Sequence, residues 1–263
     1  MFAAGPVATA VTLAVAEPVT LAITALRGGA WTPAQLSSLA LWLDAADSST
    51  ITLNGSDVSQ WDDKSGNGID FLQGNAAAQP AYTPVGIGGK PSLTFTGQES
   101  LTNTSWTLPA NNRSVFVVAH PTDVAQNVSY ILDIELGRHL FLGNGQVFAG
   151  TFQPPNPAPI STTVERVYGF VTGPSNLFVY SDGNLLSSAG AASSVAVGGT
   201  SAVGSRFSET LSFYEGEISE IVFVSGAIAA ADRQKLEGYL AWKWGLEANL
   251  PAGHPYKSTP PTA

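Results

Sequence analysis

A run of β-branched and aromatic residues that passes, within a few positions, into a helical stripe limits the fold of this chain more than any other feature. The segment is residues 214–246, YEGEISEIVFVSGAIAAADRQKLEGYLAWKWGL. Ile218, Ile221, Val222, Phe223 and Val224 form an almost unbroken apolar run, which suits a strand buried on both faces near the middle of a sheet. Ser225 and Gly226 interrupt it. From Ala230 the spacing changes, so that Leu236, Tyr239, Leu240 and Trp244 share one helical face while Arg233, Lys235, Glu237 and Lys243 mostly point elsewhere. Asp232 falls in the first turn, where the helix dipole favours a negative charge. Gly245 falls where a left-handed cap would end the helix. A lone amphipathic helix needs an apolar surface to cover, and the strands before it supply one.

The rest of the chain alternates large and small or apolar and polar side chains in short bursts. Strands are expected at residues 39–45, 51–53, 58–61, 90–95, 114–120, 130–136, 139–142, 146–152, 166–172, 176–181 and 194–198. Asn144-Gly145 and Asp182-Gly183-Asn184 have the composition of hairpin turns, in which Gly, Asn or Asp accepts positive φ. Pro154, Pro155, Pro157 and Pro159 make a stiff loop. Thr32, Pro33 and Gln35 predict a short helix with Thr32 as N-cap and Gln35 completing a capping box. Many short strands ending in one helix point to an all-β, two-sheet antiparallel sandwich. Residues 30–250 are read as that domain and residues 251–263, with Pro251, Pro255, Pro260 and Pro261, as an extended tail lying on the domain or a neighbour.

Residues 1–29 carry a short repeat, in which Val11-Thr12-Leu13-Ala14-Val15-Ala16 is echoed by Val19-Thr20-Leu21-Ala22-Ile23-Thr24. The repeat has the period of a strand and is too short for a core of its own. It is expected to be an anchoring arm that adds strands to another subunit, with an edge hairpin on the following domain as the other reading. Ala14-Val15-Ala16 resembles a signal-peptidase site, but no Lys or Arg precedes the apolar part and Pro6 interrupts it, so cleavage is not expected.

Only 12 % of the 263 residues are charged, and the net charge is −9. That balance, without a basic cluster, argues against a nucleic-acid partner. The absence of cysteine excludes disulfides, thiolate zinc sites and cysteine nucleophiles. No apolar stretch is long enough to span a bilayer as a helix. His120, His139 and His254 are widely spaced and make no metal motif.

The segments LWLDAADSSTI, VSQWDDKSGNG, GGKPSLTFTG, FYEGEISEIVFV and LEGYLAWKWGL occur in that order over residues 31–257. Together they resemble the laminin-G-like, concanavalin A-like jelly-roll superfamily, most closely the forms in bacteriophage virion proteins and large bacterial surface proteins. The resemblance implies a jelly-roll sandwich and, as function, a non-enzymatic virion protein of a tailed phage: a head decoration, head fibre or tail-associated adhesin. Its location would be the virion surface. Its partners would be other virion proteins through residues 1–29 and host glycans, in a homo-oligomeric or multi-copy assembly. A glycan-binding module of a bacterial surface protein, or a glycoside hydrolase, is the alternative.

Glucanases of this superfamily place carboxylates at alternating strand positions. Asp133 with Glu135, and Glu215 with Glu217 and Glu220, only approach that pattern, and are expected to be solvent-facing carboxylates near turns, so no catalytic residue is assigned. Some members bind calcium through Asp and loop carbonyls. Asp62, Asp63 and Asn67 are the oxygen donors suited to it here, and the alternative is that they brace their own turn. Among the tryptophans, Trp42 and Trp244 lie in apolar segments and are read as core. Trp106, in TNTSWTLP, is the candidate for exposed stacking on a sugar.

Overall fold

The computed structural model describes residues 29–108, 112–123, 128–134, 140–143, 146–149, 158–159, 163–173, 175–190, 197–207 and 212–263. The apolar run forms the strand Glu215–Ser225, and it is the hub of the sheet. One edge pairs antiparallel with Leu39–Asp44, placing Asp44 opposite Glu220 and Leu41 opposite Phe223. The other edge pairs with Arg113–Pro121. Beyond that strand come Arg166–Thr172, Asn176–Ser181 and Asn184–Gly190 in turn. Burial is nearly continuous from Gly216 to Val224, as expected of a strand with a layer on each face.

The first residues of the same strand also pair with Ser92–Thr96, which carries the hydrogen-bonded network into a second layer. That layer includes Ala81–Thr83, Asp57–Trp61, Phe71–Leu72, Leu101–Asn103, Ser201–Val203 and Ser129–Ile134. Strand alternation then divides the apolar side chains between two cores. Leu41, Leu43, Val115, Val117, Ile221 and Phe223 meet Trp61, Phe71, Leu101, Leu132 and Val203 between the layers. Trp42, Phe116, Val118, Val222 and Val224 face outward and are covered by Leu236, Leu240, Ala241 and Trp244 of the helix Ala230–Lys243. The molecule is an all-β sandwich with one helix laid on an outer face.

Several local expectations hold in detail. Arg166–Thr172 and Asn176–Ser181 begin and end where their patterns do. Ser181 pairs with Asn184 across Asp182 and Gly183, whose φ values of 49° and 76° are those of a type I′ turn. Gly245 ends the helix at φ 70°. The expected capping box does not form: residues Pro33–Gln35 make a single 3-10 turn, and the Thr32 side chain makes no capping hydrogen bond. One turn leaves too few free N–H groups for a box to serve.

The proline-rich tail lies on the domain. His254 Nε2 lies 3.3 Å from the buried Glu237 carboxylate, and the Trp242 indole donates to the Tyr256 carbonyl at 2.8 Å. Thr262 bridges Ala30, and the Ala263 N–H donates to the Gly29 carbonyl at 2.8 Å, so both ends of the domain meet. The N-terminal repeat, Asn144-Gly145 and most of the proline-rich loop lie outside the described residues. Ala158–Pro159 of that loop pairs with Gln146 and Val147.

Candidate functional site

Among the described residues, polar groups gather at a buried carboxylate under the helix and at an open groove at one end of the sandwich. In the first, Glu220 is wholly buried, contrary to the solvent-facing carboxylate its strand position suggested. A bulge between Ile218 and Glu220 shifts the register, and the side chain stands on the helix side of the sheet. Its oxygens accept from the Trp42 indole at 2.7 Å, the Trp244 indole at 2.6 Å and the Tyr239 hydroxyl at 3.2 Å, and the Lys243 ammonium lies 2.8 Å away. Lys243 also reaches Asp44 at 2.6 Å, Asp44 meets Lys64 at 2.8 Å, and Lys64 meets Asp47 at 2.8 Å. Lys64 sits over the Trp42 ring, 4.4 Å from its centre. Burial pushes the Glu220 carboxyl up, while Lys243 opposes that rise.

This chain of charges ties helix, sheet and the 47–64 segment into one unit, and its outer end gives a pH dependence. The hydrogen bond from Lys64, with another from Ser49, holds the Asp47 carboxyl at about 2 instead of 3.8. A carboxyl depressed on folding stabilises the native state above its unfolded value, and that contribution is lost as pH falls from about 4 towards 2. Acid denaturation of Asp47→Asn should therefore show a flatter loss of stability in that window than the parent chain. An unchanged slope would remove Asp47 from the acid response.

The other acids considered for sugar cleavage are committed or dispersed. The Ser92 hydroxyl donates to Glu217 at 2.6 Å. Asp133 is fully buried and accepts from the Phe207 N–H at 3.2 Å. Glu135 lies outside the described residues. Among the described residues no three His, Cys, Asp or Glu side chains gather as a metal cluster, and no helix is long and apolar enough to cross a membrane.

The residues singled out for calcium brace their turn. Asp63 Oδ1 accepts from the backbone N–H groups of Trp42 and Ser65 at 2.9 and 2.8 Å, and Oδ2 accepts from the Ser65 hydroxyl and the Ile69 N–H at 2.6 and 3.2 Å. Asp62 accepts from the Gln60 amide. Asn67 donates to the carbonyls of Leu39 and Ala40, both at 3.1 Å. A cation at Asp63 would have to displace these donors.

That same turn forms one wall of the groove. The groove holds about 380 Å³ and is lined by Ser38, Leu39, Ala40, Asn67, Ile69, Ser105, Trp106, Thr107 and Ser225. Trp106 is the tryptophan expected to be exposed, and it is not: only 3 % of it is accessible. Its ring packs edge-on against Phe223 and Phe71, with centroids 5.0 and 6.3 Å apart, while Asn103 Oδ1 accepts from the Trp106 backbone N–H at 2.8 Å. It therefore belongs to the inter-layer core and presents a small remaining surface to the groove. Ser38, Ser105, Thr107 and Ser225 had no mark in the sequence, because serines and threonines are common throughout the chain and only the fold brings these together.

The chain is a two-layer antiparallel sandwich with a small groove at one end, and comparison with known proteins shows a fold without a family. No family model matches the chain, and no curated protein matches it. Among solved structures it is similar to Trypanosoma rangeli sialidase in complex with sialic acid, with TM-score 0.56 and 13 % identity over 78 % of this chain and 33 % of that one. It is also similar to domain 4 of AbnA, a GH43 extracellular arabinanase from Geobacillus stearothermophilus, in complex with arabinotriose. There the TM-score is 0.55 and the identity 16 %, over 77 % of this chain and 100 % of that domain. The binding domain of Paraclostridial Mosquitocidal Protein 1 gives TM-score 0.56 and 9 % identity, over 79 % and 53 %. The chain thus spans about a third of the sialidase it matches and the whole of the arabinanase domain. At these identities the likeness is one of fold.

Proposed function

We propose that this chain is a non-enzymatic glycan-binding module carried on the surface of a tailed-phage virion, as a head decoration, head fibre or tail-associated protein, with residues 1–29 as its tether. The observation that carries the glycan half is the groove. It pairs an apolar floor of Leu39, Ile69 and Trp106 with a rim of hydroxyls and an amide. A pyranose or furanose ring has the matching character, with C–H groups on one face and hydroxyls around the edge. The arabinanase domain, whose whole length matches this fold, is described in complex with arabinotriose. The engagement of Glu217 by Ser92 and of Glu220 by the helix supports binding over cleavage.

The virion half rests on the sequence. The apolar repeat of residues 11–24 needs a partner surface, and few charges on the body suit close neighbours in a multi-copy assembly. The tether leaves the domain where Gly29 and Ala30 are held by Ala263 and Thr262, so that junction is bonded on both sides.

The full-length chain on a glycan array should retain particular saccharides and release no reducing ends from polysaccharides. Chelation of divalent cations should leave that binding unchanged, since the Asp63 oxygens are already engaged. An array with no retained glycan would end the glycan half. Deleting residues 1–29 should abolish association with virus particles while sugar binding persists, and a truncated chain that still assembles would end the tether.

A further inference from the structure

We propose that the groove selects neutral sugars and turns away acidic ones, an inference that rests on the glycan-binding reading above. Of the described residues that line it, none carries a charge. A sugar carboxylate entering the groove would lose water without gaining a counter-ion, which is costly.

The orientation of Asn67 adds a directional reason. Its amide nitrogen is spent on the carbonyls of Leu39 and Ala40 and on the Ser65 hydroxyl at 3.1, 3.1 and 2.9 Å. Among the described residues no donor reaches its Oδ1, which is left to accept. An acceptor in the groove calls for a donor on the ligand. A sugar hydroxyl supplies one, and an ionised carboxylate has none to give.

The surrounding charges agree. Asp63 stands in the turn that carries Asn67, and Asp70 accepts from the Asp63 N–H at 2.9 Å, so two carboxylates lie behind that wall. Lys64 is held by Asp44 and Asp47 at 2.8 Å each and is turned to them. Arg113 is the cross-strand neighbour of Ser225, but it is only 7 % exposed and contributes no lining atom.

The test is calorimetric titration of the full-length chain with matched pairs that differ only at C6: galacto- and gluco-oligosaccharides against their galacturonate and glucuronate counterparts. The neutral member of a recognised pair should bind at least about tenfold more tightly, as expected for one lost hydrogen bond with a buried charge left unpaired. Thr107 is exposed at the rim, so Thr107→Trp should fill the groove, and Asn67→Asp should place a charge beside the ligand. Each should weaken neutral-sugar binding about tenfold or more. Circular dichroism would check that both variants are folded.

Equal or tighter binding of the acidic members would overturn the selectivity while leaving the glycan reading intact, and would indicate that Arg113 reaches the ligand. Undiminished neutral binding by a folded Thr107→Trp would place the site elsewhere and overturn the inference in the same way. Silence towards every saccharide of both kinds removes the glycan reading itself.

Discussion

Glu220→Ala should lower the unfolding free energy by about 3–5 kcal/mol, the range for removing one partner from a buried ion pair. For a domain of this size that corresponds to a fall in melting temperature of about 10 °C. The loss is large because the carboxylate serves several elements at once. Without it, the indoles of Trp42 and Trp244, the Tyr239 hydroxyl and the Lys243 ammonium lose an acceptor. Buried donors left unpaired keep their full desolvation cost. A cavity under the helix adds to it. Glu220→Gln should be milder, because it keeps the volume but turns an amide donor towards groups that are themselves donors. Combining either change with Lys243→Met should cost less than the sum of the singles, since the two side chains share one interaction. Thermal melts and a double-mutant cycle read all of this. A Glu220→Ala chain that melts with the parent would show that the carboxylate does not hold the helix to the sheet.

Gly216→Ala should destabilise by about 3 kcal/mol or more, from left-handed backbone strain together with overpacking. Gly216 has φ 139° and sits where the hub strand pairs with Phe95 on one side and Pro121 on the other. A methyl there would collide with the His120 carbonyl oxygen and approach the Pro121 Cα and the Tyr214 hydroxyl to 2.8 Å. Backbone atoms on a paired strand cannot move aside without breaking the pairing. Since this strand is shared by both layers, the damage should spread to both and appear as a cooperative loss, measured by denaturant titration with an unchanged slope. A stability within about 0.5 kcal/mol of the parent, the scatter expected of an innocuous surface change, would contradict the role given to Gly216.

The contrast between these residues and the well-anticipated ones has a physical basis. Arg166–Thr172, Asn176–Ser181 and the Asp182-Gly183 turn could be read from the chain because their signals are local: alternation over a few residues, and a turn dipeptide that accepts positive φ. The helix and its Gly245 end were legible for the same reason. Trp106 was misread because its neighbours Thr104, Ser105 and Thr107 are polar, and strand-like segments send alternate side chains to opposite sides. Its burial is decided by Phe71 and Phe223, remote in sequence. Asp63 and Asn67 stand on a turn, as their composition suggests, but the partners that engage the Asp63 oxygen and the Asn67 amide nitrogen, Trp42 and Ala40, lie more than twenty residues away.

Periodicity along the chain was enough to set the alternation of the strands, the place of the helix and the two-layer class, because each depends on contacts within one element or between adjacent ones. The committed carboxylate under the helix, the polar groove and the loss of Trp106 from the surface arise from contacts between distant segments. A one-residue bulge in the hub strand goes with the placement of Glu220 against the helix. No local pattern records such a shift, since the free energy that favours it comes from partners that only folding brings near.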